Sequence, residues 1–283
     1  MKKTDIVTIE YSSPLYPAEW KTLSSPPPFL QAMGNTELLR RRKFTLVGSR
    51  KTPAAAMKVS AGIASELTEA FVLVTGAADG GDTSAIEGAL QSGRIICVLA
   101  GGFSALPQGN LALLERVAQK GLLLSPHDYD TPVRAFSYEY RNKLLAALGE
   151  GTLVVGAGEK SGALITTKYA QKLGKPVFAL PYPPNAAAGA GCNALIKNGG
   201  HLTETAGDIF EKMGVECTVK TKKVALSPDE EKVLNVLREL TEAHINELAL
   251  RSGVPAFKAR AVLSALEMKG LAVAVGGNRY APV

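Results

Sequence analysis

With 283 residues, 46% hydrophobic and 20% charged, the chain has the make-up of a folded protein with one large domain and one small one, which excludes disorder as its default state. Its three cysteines, Cys97, Cys192 and Cys217, are too widely spaced for a disulfide framework or a zinc site, and no run reaches the ~18 apolar residues a membrane span needs. The net charge of +6 is local: residues 226–283 hold seven basic and seven acidic side chains, whereas residues 1–225 hold 25 basic and 19 acidic, so a polyanionic partner belongs to the larger part.

Lys2 and Lys3 are followed by no apolar stretch, so no secretory signal is read; the chain is expected to be cytoplasmic, without membrane contact. Residues 1–42 read as a lead-in segment in which Ser24-Ser25-Pro26-Pro27-Pro28 is stiff and extended, because proline fixes φ and disfavours helix in the residue before it. Residues 43–216 form the first domain. Short apolar runs at Phe44–Val47, Phe71–Val74, Arg94–Leu99, Leu122–Leu124, Thr152–Val155 and Val177–Leu180 predict strands. Helical patterns at Ala54–Ala70, Thr83–Gln91, Leu111–Gln119, Tyr140–Leu148 and Leu164–Leu173 alternate with them, several followed by glycine. That alternation predicts an α/β fold, a Rossmann-like, doubly wound and mostly parallel sheet. Cys97, inside the run Ile95–Leu99, is expected to be a buried, inert thiol.

Residues 217–225 are polar and basic and read as a linker. Residues 226–283 begin with Ser227-Pro228-Asp229-Glu230, an N-cap serine, a proline at the first helical position and a carboxylate three residues after the cap. Helices to about Leu240, over Ile245–Arg251 and over Ala256–Lys269, then a hairpin of Leu271–Val275 and Asn278–Ala281, predict a small C-terminal winged helix. Lys258 and Arg260 on its third helix are offset by Glu247 and Glu267, so protein contact competes with duplex reading there.

Four strand ends run into small or glycine-rich loops: Val47–Arg50, Val74–Asp82, Leu99–Gly102 and Val155–Gly162. Glycine at such a junction lets backbone approach a ligand, and the free N–H groups of the next helix attract an anion. Any one of these loops reads as structural, since none matches the spaced dinucleotide or P-loop fingerprint. Four along one sheet edge, with the guanidinium fork of Arg50, favour a site for a phosphate-bearing ligand.

From Tyr16 onward the order of motifs resembles the DprA/Smf family of bacterial DNA-processing proteins. Tyr16-Pro17 through Pro26-Pro27-Pro28 and Gly34–Leu39 look like that family's lead-in; Gly48-Ser49-Arg50 matches its glycine-serine/alanine-arginine signature. Tyr138-Glu139-Tyr140-Arg141-Asn142-Lys143 is similar to its aromatic-x-x-Arg-Asn-Arg element, with tyrosine for the usual phenylalanine. Ser161–Thr167 resembles its Ser-Gly-x-Leu-x-Thr segment, and Gly191–Gly199, with Asn193, its Gly-x-Asn-x-Leu-Ile-x-x-Gly segment. The resemblance implies a homodimeric, non-enzymatic protein that binds and protects single-stranded DNA and loads a RecA-type recombinase in natural transformation. Arg50, Arg141 and Lys143 would then face phosphates, and Gly48, Ser49, Ser161 and Gly162 would offer backbone N–H groups. Gly76 and Gly80 would let their loop approach the strand, and Asn142 and Asn193 would complete the DNA-binding set. Tyr138 would stack on a base or pack beneath the pocket; for Arg141 the structural alternative is a salt bridge to Glu139 or Glu150.

The chain departs from the family pattern at three places. Asp79 fills a slot that usually holds arginine, with Gly81 replacing isoleucine; Ser125-Pro126 stands where Ser-Glu is usual, and Gly156 where the family carries glutamate. An acid facing DNA at position 79 acts as a brake on affinity. Two other functions compete: a LOG-like nucleotide phosphoribohydrolase, with Glu159 as its candidate acid, and a nucleotide-sensing transcription regulator. His127, His201 and His244 stand apart from one another and from the cysteines, so neither a metal nor a cofactor is expected.

Overall fold

A computed structural model describes residues 3–216 and 226–282, so the linker expected over 217–225, with Cys217, lies outside the described residues. Two compact units divide the chain, Met1–Val219 and Lys220–Val283. The first begins with β1 (Val7–Glu10), α1 (Ala18–Lys21) and β2 (Phe29–Gly34). It continues through β3 (Lys43–Val47), α2 (Ala54–Leu67), β4 (Val72–Thr75), α3 (Gly81–Ala89), β5 (Ile95–Val98), α4 (Leu111–Lys120) and β6 (Leu122–Ser125). After these come α5 (Ala135–Leu148), β7 (Thr152–Val154), α6 (Ala163–Lys172), β8 (Val177–Ala179), α7 (Ala190–Lys197), β9 (His201–Leu202) and α8 (Ala206–Lys212).

The strand order is β1-β2-β6-β5-β4-β3-β7-β8-β9. From β6 to β9 every neighbouring pair is parallel, while β1 and β2 add an antiparallel edge. Every residue of β3 through β8 is buried, which is why these strands read as continuous apolar runs rather than alternating ones. One face carries a core with Ile63 and Leu67 of α2, Ile86 of α3, Leu114 of α4 and Phe210 of α8. The other carries Leu144, Leu145 and Leu148 of α5, Cys192 of α7, and Tyr16 and Trp20 from the N-terminal segment. The sheet is therefore doubly wound, as the alternation predicts.

Two boundaries differ from the sequence reading. The N-terminal segment contributes two sheet strands that periodicity does not reveal, because β1 buries only Ile9 and so carries almost no pattern. Trp20 Nε1 donates to Leu144 O (2.9 Å), which fixes the segment against α5, and Tyr16 Oη donates to Pro27 O (2.7 Å), which braces the segment internally. Helix α5 starts at Ala135, five residues ahead of the expected Tyr140, because Ser137 Oγ accepts from the Arg134 amide (3.1 Å) and closes the first turn. That shift puts Tyr138 in the first turn of a helix rather than in a loop.

The second unit comprises α9 (Pro228–Leu240), β10 (Ala243–His244), α10 (Ile245–Ser252), α11 (Ala256–Met268), β11 (Ala272–Gly276) and β12 (Arg279–Pro282). Ser227 and Glu230 form the expected capping box at α9, and Val233, Leu237, Leu248, Leu263 and Leu266 make the core. β12 pairs antiparallel with both β10 and β11, so the expected hairpin is the larger part of a three-stranded sheet. This is a winged helix. Among the described residues no helix is long and apolar enough to cross a membrane.

Candidate nucleic-acid interface

The sheet grows outward from β3 through β4 and β5 to β6, then returns to place β7 on the other side of β3. Loops after β3 and β7 therefore diverge at a switch point, which opens a crevice beyond the carboxyl ends of the strands. The loops after β3 and β4 touch through bare backbone: a Cβ on Gly48 would lie 2.6 Å from Gly81 Cα, so neither position has space for a side chain. Gly80, at φ +82°, turns the second loop into α3.

Asp82, in the first turn of α3, fastens this floor. Its carboxylate accepts from the Gly48 amide (3.1 Å) and the Ala78 amide (3.2 Å), one from each loop. Arg141, reaching down from α5, faces Asp82 electrostatically and donates through Nη1 to Gly76 O. A Cβ on Gly76 would collide with that guanidinium, so glycine is required here for close approach. Burial pushes the Asp82 carboxyl up and the Arg141 guanidinium down, and each charge opposes the shift of the other. Three elements from distant parts of the sequence thus meet here, through the Asp82 hydrogen bonds to Gly48 and Ala78 and the Arg141 hydrogen bond to Gly76, with the two opposite charges buried close by. Cys97 lies beneath it, fully buried, with its thiol pushed up mainly by that burial.

Above the floor is a cavity of about 800 Å³. Gly48, Ser49, Arg50, Tyr138, Arg141, Asn142, Ser161 and Gly162 all line it, so most of the residues singled out from sequence do meet. Lys51 and Lys160 line it as well, and neither is among the residues singled out from sequence. Arg50, Lys51 and Lys160 are exposed, and none makes an ion pair among the described residues. Tyr138 is 40% exposed, with the Arg50 guanidinium 5.8 Å and that of Arg141 5.9 Å from its ring centroid. Thr166 Oγ1 and Arg141 Nε are buried and have no hydrogen-bond partner among the described residues.

Several expected roles need correction. The amides of Gly48, Ser49 and Ser161 are not free for an anion: they donate to Asp82 Oδ1 (3.1 Å), Gly156 O (2.7 Å) and Gly158 O (3.0 Å). Only the Gly162 amide of that expected set lacks a partner among the described residues. Arg141 is 6% exposed and neither Glu139 nor Glu150 pairs with it; Glu150 is held by Arg42, and Arg141 donates to Gly76 O with the Asp82 carboxylate acting on it through charge. Lys143 points to the N-terminal segment, donating to Ser24 Oγ (3.2 Å), outside the cavity. Asn193 is also outside it. Its Oδ1 accepts from Tyr182 N (3.0 Å) and its Nδ2 donates to Tyr182 O (2.9 Å), which positions the loop carrying Ala187 and Ala188 into the cavity wall. Gly80 packs against Ser49 and Arg50 as part of the floor, and Asn142 donates through Nδ2 to Gly162 O (3.2 Å).

The family model for DNA recombination-mediator protein A matches residues 7–214, and that for the DprA winged helix domain matches residues 220–278. The chain belongs to the DprA family. A DprA from Mycobacterium tuberculosis is 36% identical over 260 residues, covering 87% of this chain and 66% of that protein, so the chain spans about two thirds of that relative's length. The X-ray structure of DprA from Streptococcus pneumoniae superposes with a TM-score of 0.70 at 30% identity, over 73% of this chain and 74% of that one. DprA from Helicobacter pylori, which binds single-stranded DNA, superposes with a TM-score of 0.67 at 28% identity, over 74% of this chain and 95% of that one.

Proposed function

We propose that this DprA-family chain binds and protects single-stranded DNA across the switch-point cavity and, as a homodimer, passes it to a RecA-type recombinase. The observation that carries this reading is the trio of unpaired cations, Arg50, Lys51 and Lys160, set around an exposed aromatic ring, Tyr138. Cations that track phosphates beside a stacking surface are the recurring means of holding a single strand without duplex. The single-stranded DNA binding of the Helicobacter pylori relative supports the same ligand. Handover to a recombinase rests on family membership.

A non-enzymatic role fits the carboxylates. Asp82 is the acid in the cavity, and it is buried and tied to two amides and Arg141, so it is not poised to assist bond cleavage. Glu159, the acid a phosphoribohydrolase would need, is exposed and does not line the cavity.

Titration with single- and double-stranded DNA of one sequence at several salt concentrations tests the reading. Each neutralised phosphate adds about −0.7 to the log–log salt slope on a single strand, so three cations give a slope of about −2. Arg50→Ala should weaken binding and shallow the slope by about 0.7. Equal affinity for duplex, or a flat salt response, would overturn the proposal; an unchanged Arg50→Ala variant would remove Arg50 from it.

A further inference from the structure

Beside the main cavity is a smaller one of about 230 Å³, and Arg50, Tyr138 and Arg141 form the partition between the two. Its chemistry is different. The walls are Ala77, Leu99, Ala105, Pro107 and Val133, with backbone of the loops after β4 and β5. Neither Lys51 nor Lys160 reaches it. In their place stands Asp79, exposed at the cavity wall, with no hydrogen bond or ion pair among the described residues. A Cβ on Gly109 would lie 3.0 Å from Asp79 Oδ1, so the absence of a side chain at 109 leaves the space the carboxylate occupies.

Arg50 and Arg141 on the partition and Asp79 opposite give this cavity mixed charge, and its apolar walls favour a neutral group with both donors and acceptors over a phosphate. A flat, neutral heterocycle suits it: apolar walls of small side chains, a tyrosine ring on one side, and space for a ring rather than for a whole nucleotide. The polar groups then select among bases. An ionised carboxylate only accepts hydrogen bonds, so it pairs with an exocyclic amino group and is repelled by a carbonyl. On the other side, the guanidiniums of Arg50 and Arg141 line the partition and only donate, so a carbonyl suits that side. Cytosine offers an amino group and a carbonyl, whereas thymine presents carbonyls on both sides of its one N–H.

We infer that the smaller cavity is a nucleobase subsite in which Asp79 selects amino-bearing bases, cytosine above thymine, from a strand whose phosphates lie over the larger cavity. The inference rests on the single-strand reading above, and it makes Asp79 a specificity-determining residue. The arginine that the family pattern places in this slot carries donors and would have the opposite preference, toward carbonyls.

The test uses the full chain and labelled oligo-dC and oligo-dT of equal length, titrated by fluorescence anisotropy at one ionic strength. The wild-type protein should bind oligo-dC at least about fivefold more tightly than oligo-dT, the lower end of base-edge discrimination. Asp79→Ala should bring the two within about twofold, chiefly by weakening oligo-dC, with the thermal melt unchanged. Equal wild-type affinities, or a preference that survives in Asp79→Ala, would overturn the subsite while leaving single-strand binding intact. Binding to neither oligonucleotide would overturn both.

Discussion

Arg141→Met removes the cation that joins α5 to the floor of the crevice while keeping much of the apolar stem. Asp82 is 3% and Arg141 6% exposed, so neither is relieved by water when its partner goes. Deleting the cation beside a buried carboxylate leaves that charge uncompensated, which costs up to about 3–5 kcal/mol, the figure for a broken buried pair. An upper limit comes from protonation: raising a carboxyl from about 3.9 to 7 costs about 1.36 kcal/mol per unit, or about 4 kcal/mol, after which the acid takes up a proton instead. Loss of the bond to Gly76 O adds about 1 kcal/mol. The expected loss is thus about 4–5 kcal/mol at pH 7, a large part of the 5–15 kcal/mol a domain commands. The pH dependence follows with its sign. Asp82 already stands above its unfolded value, and removing Arg141 raises it further. An acid whose folded pKa is raised destabilises once ionised, so the variant should be steadiest below the ordinary carboxylate range and lose stability as pH rises toward neutral. Urea unfolding followed by circular dichroism at pH 5 and pH 7 reads both effects. Adding Asp82→Asn, which keeps an acceptor for the Gly48 and Ala78 amides but removes the stranded charge, should recover about half the loss. An Arg141→Met variant within about 1 kcal/mol of wild type at pH 7, or a double variant as weak as the sum of the singles, would refute the reasoning.

Two further outcomes are expected. A chain ending at Glu216 should keep most of its single-strand affinity, because residues 226–283 carry equal numbers of basic and acidic side chains and the cavity belongs wholly to the first unit; loss of most binding in a folded truncation would place the DNA elsewhere. Asp79→Arg, which reverses the charge at an exposed wall, should tighten oligo-dT binding about two- to fivefold at low salt, with the gain shrinking as salt rises. Titrations at two ionic strengths check it, and a gain independent of salt would refute the electrostatic account.

Much of the architecture was legible because it is written in buried strands. Phe44–Val47 and Ile95–Val98 face apolar surroundings on both sides, so they leave uninterrupted runs that composition alone exposes. The strand-end loops were legible for a similar reason, since glycine marks close approach. What the loops do was not. A free amide and one already committed to Asp82 look the same in sequence, and Asp82 itself is an ordinary acid near the start of a helix until β3, β4 and α5 fold around it. Lys143 and Arg141 are two residues apart on α5, and a rotation of about 200° between them sends one toward Ser24 and the other into the core. Asn193 sits within a family motif, yet its side chain acts on the cavity through Tyr182.

The departures from the family pattern belong together. Gly81, in place of a bulky residue, lets the Gly48 backbone close onto α3, and that contact brings the Gly48 amide to Asp82. Gly156, in place of an acid, leaves space that Thr52 and Tyr182 occupy: a Cβ there would lie 2.5 Å from Thr52 Oγ1 and 3.0 Å from Tyr182 Oη. Gly156 O in turn receives the Ser49 amide at 2.7 Å. Both glycines therefore let the floor close tightly, and in that closed floor the Gly48 and Ser49 amides are already engaged rather than open to a phosphate. Attraction for a polyanion must then come from side chains at the rim, and three unpaired cations stand there while the acid at position 79 stands at the neighbouring cavity. Side-chain cations hold phosphates through charge rather than fixed geometry, which suits a protein that must grip a strand and later release it.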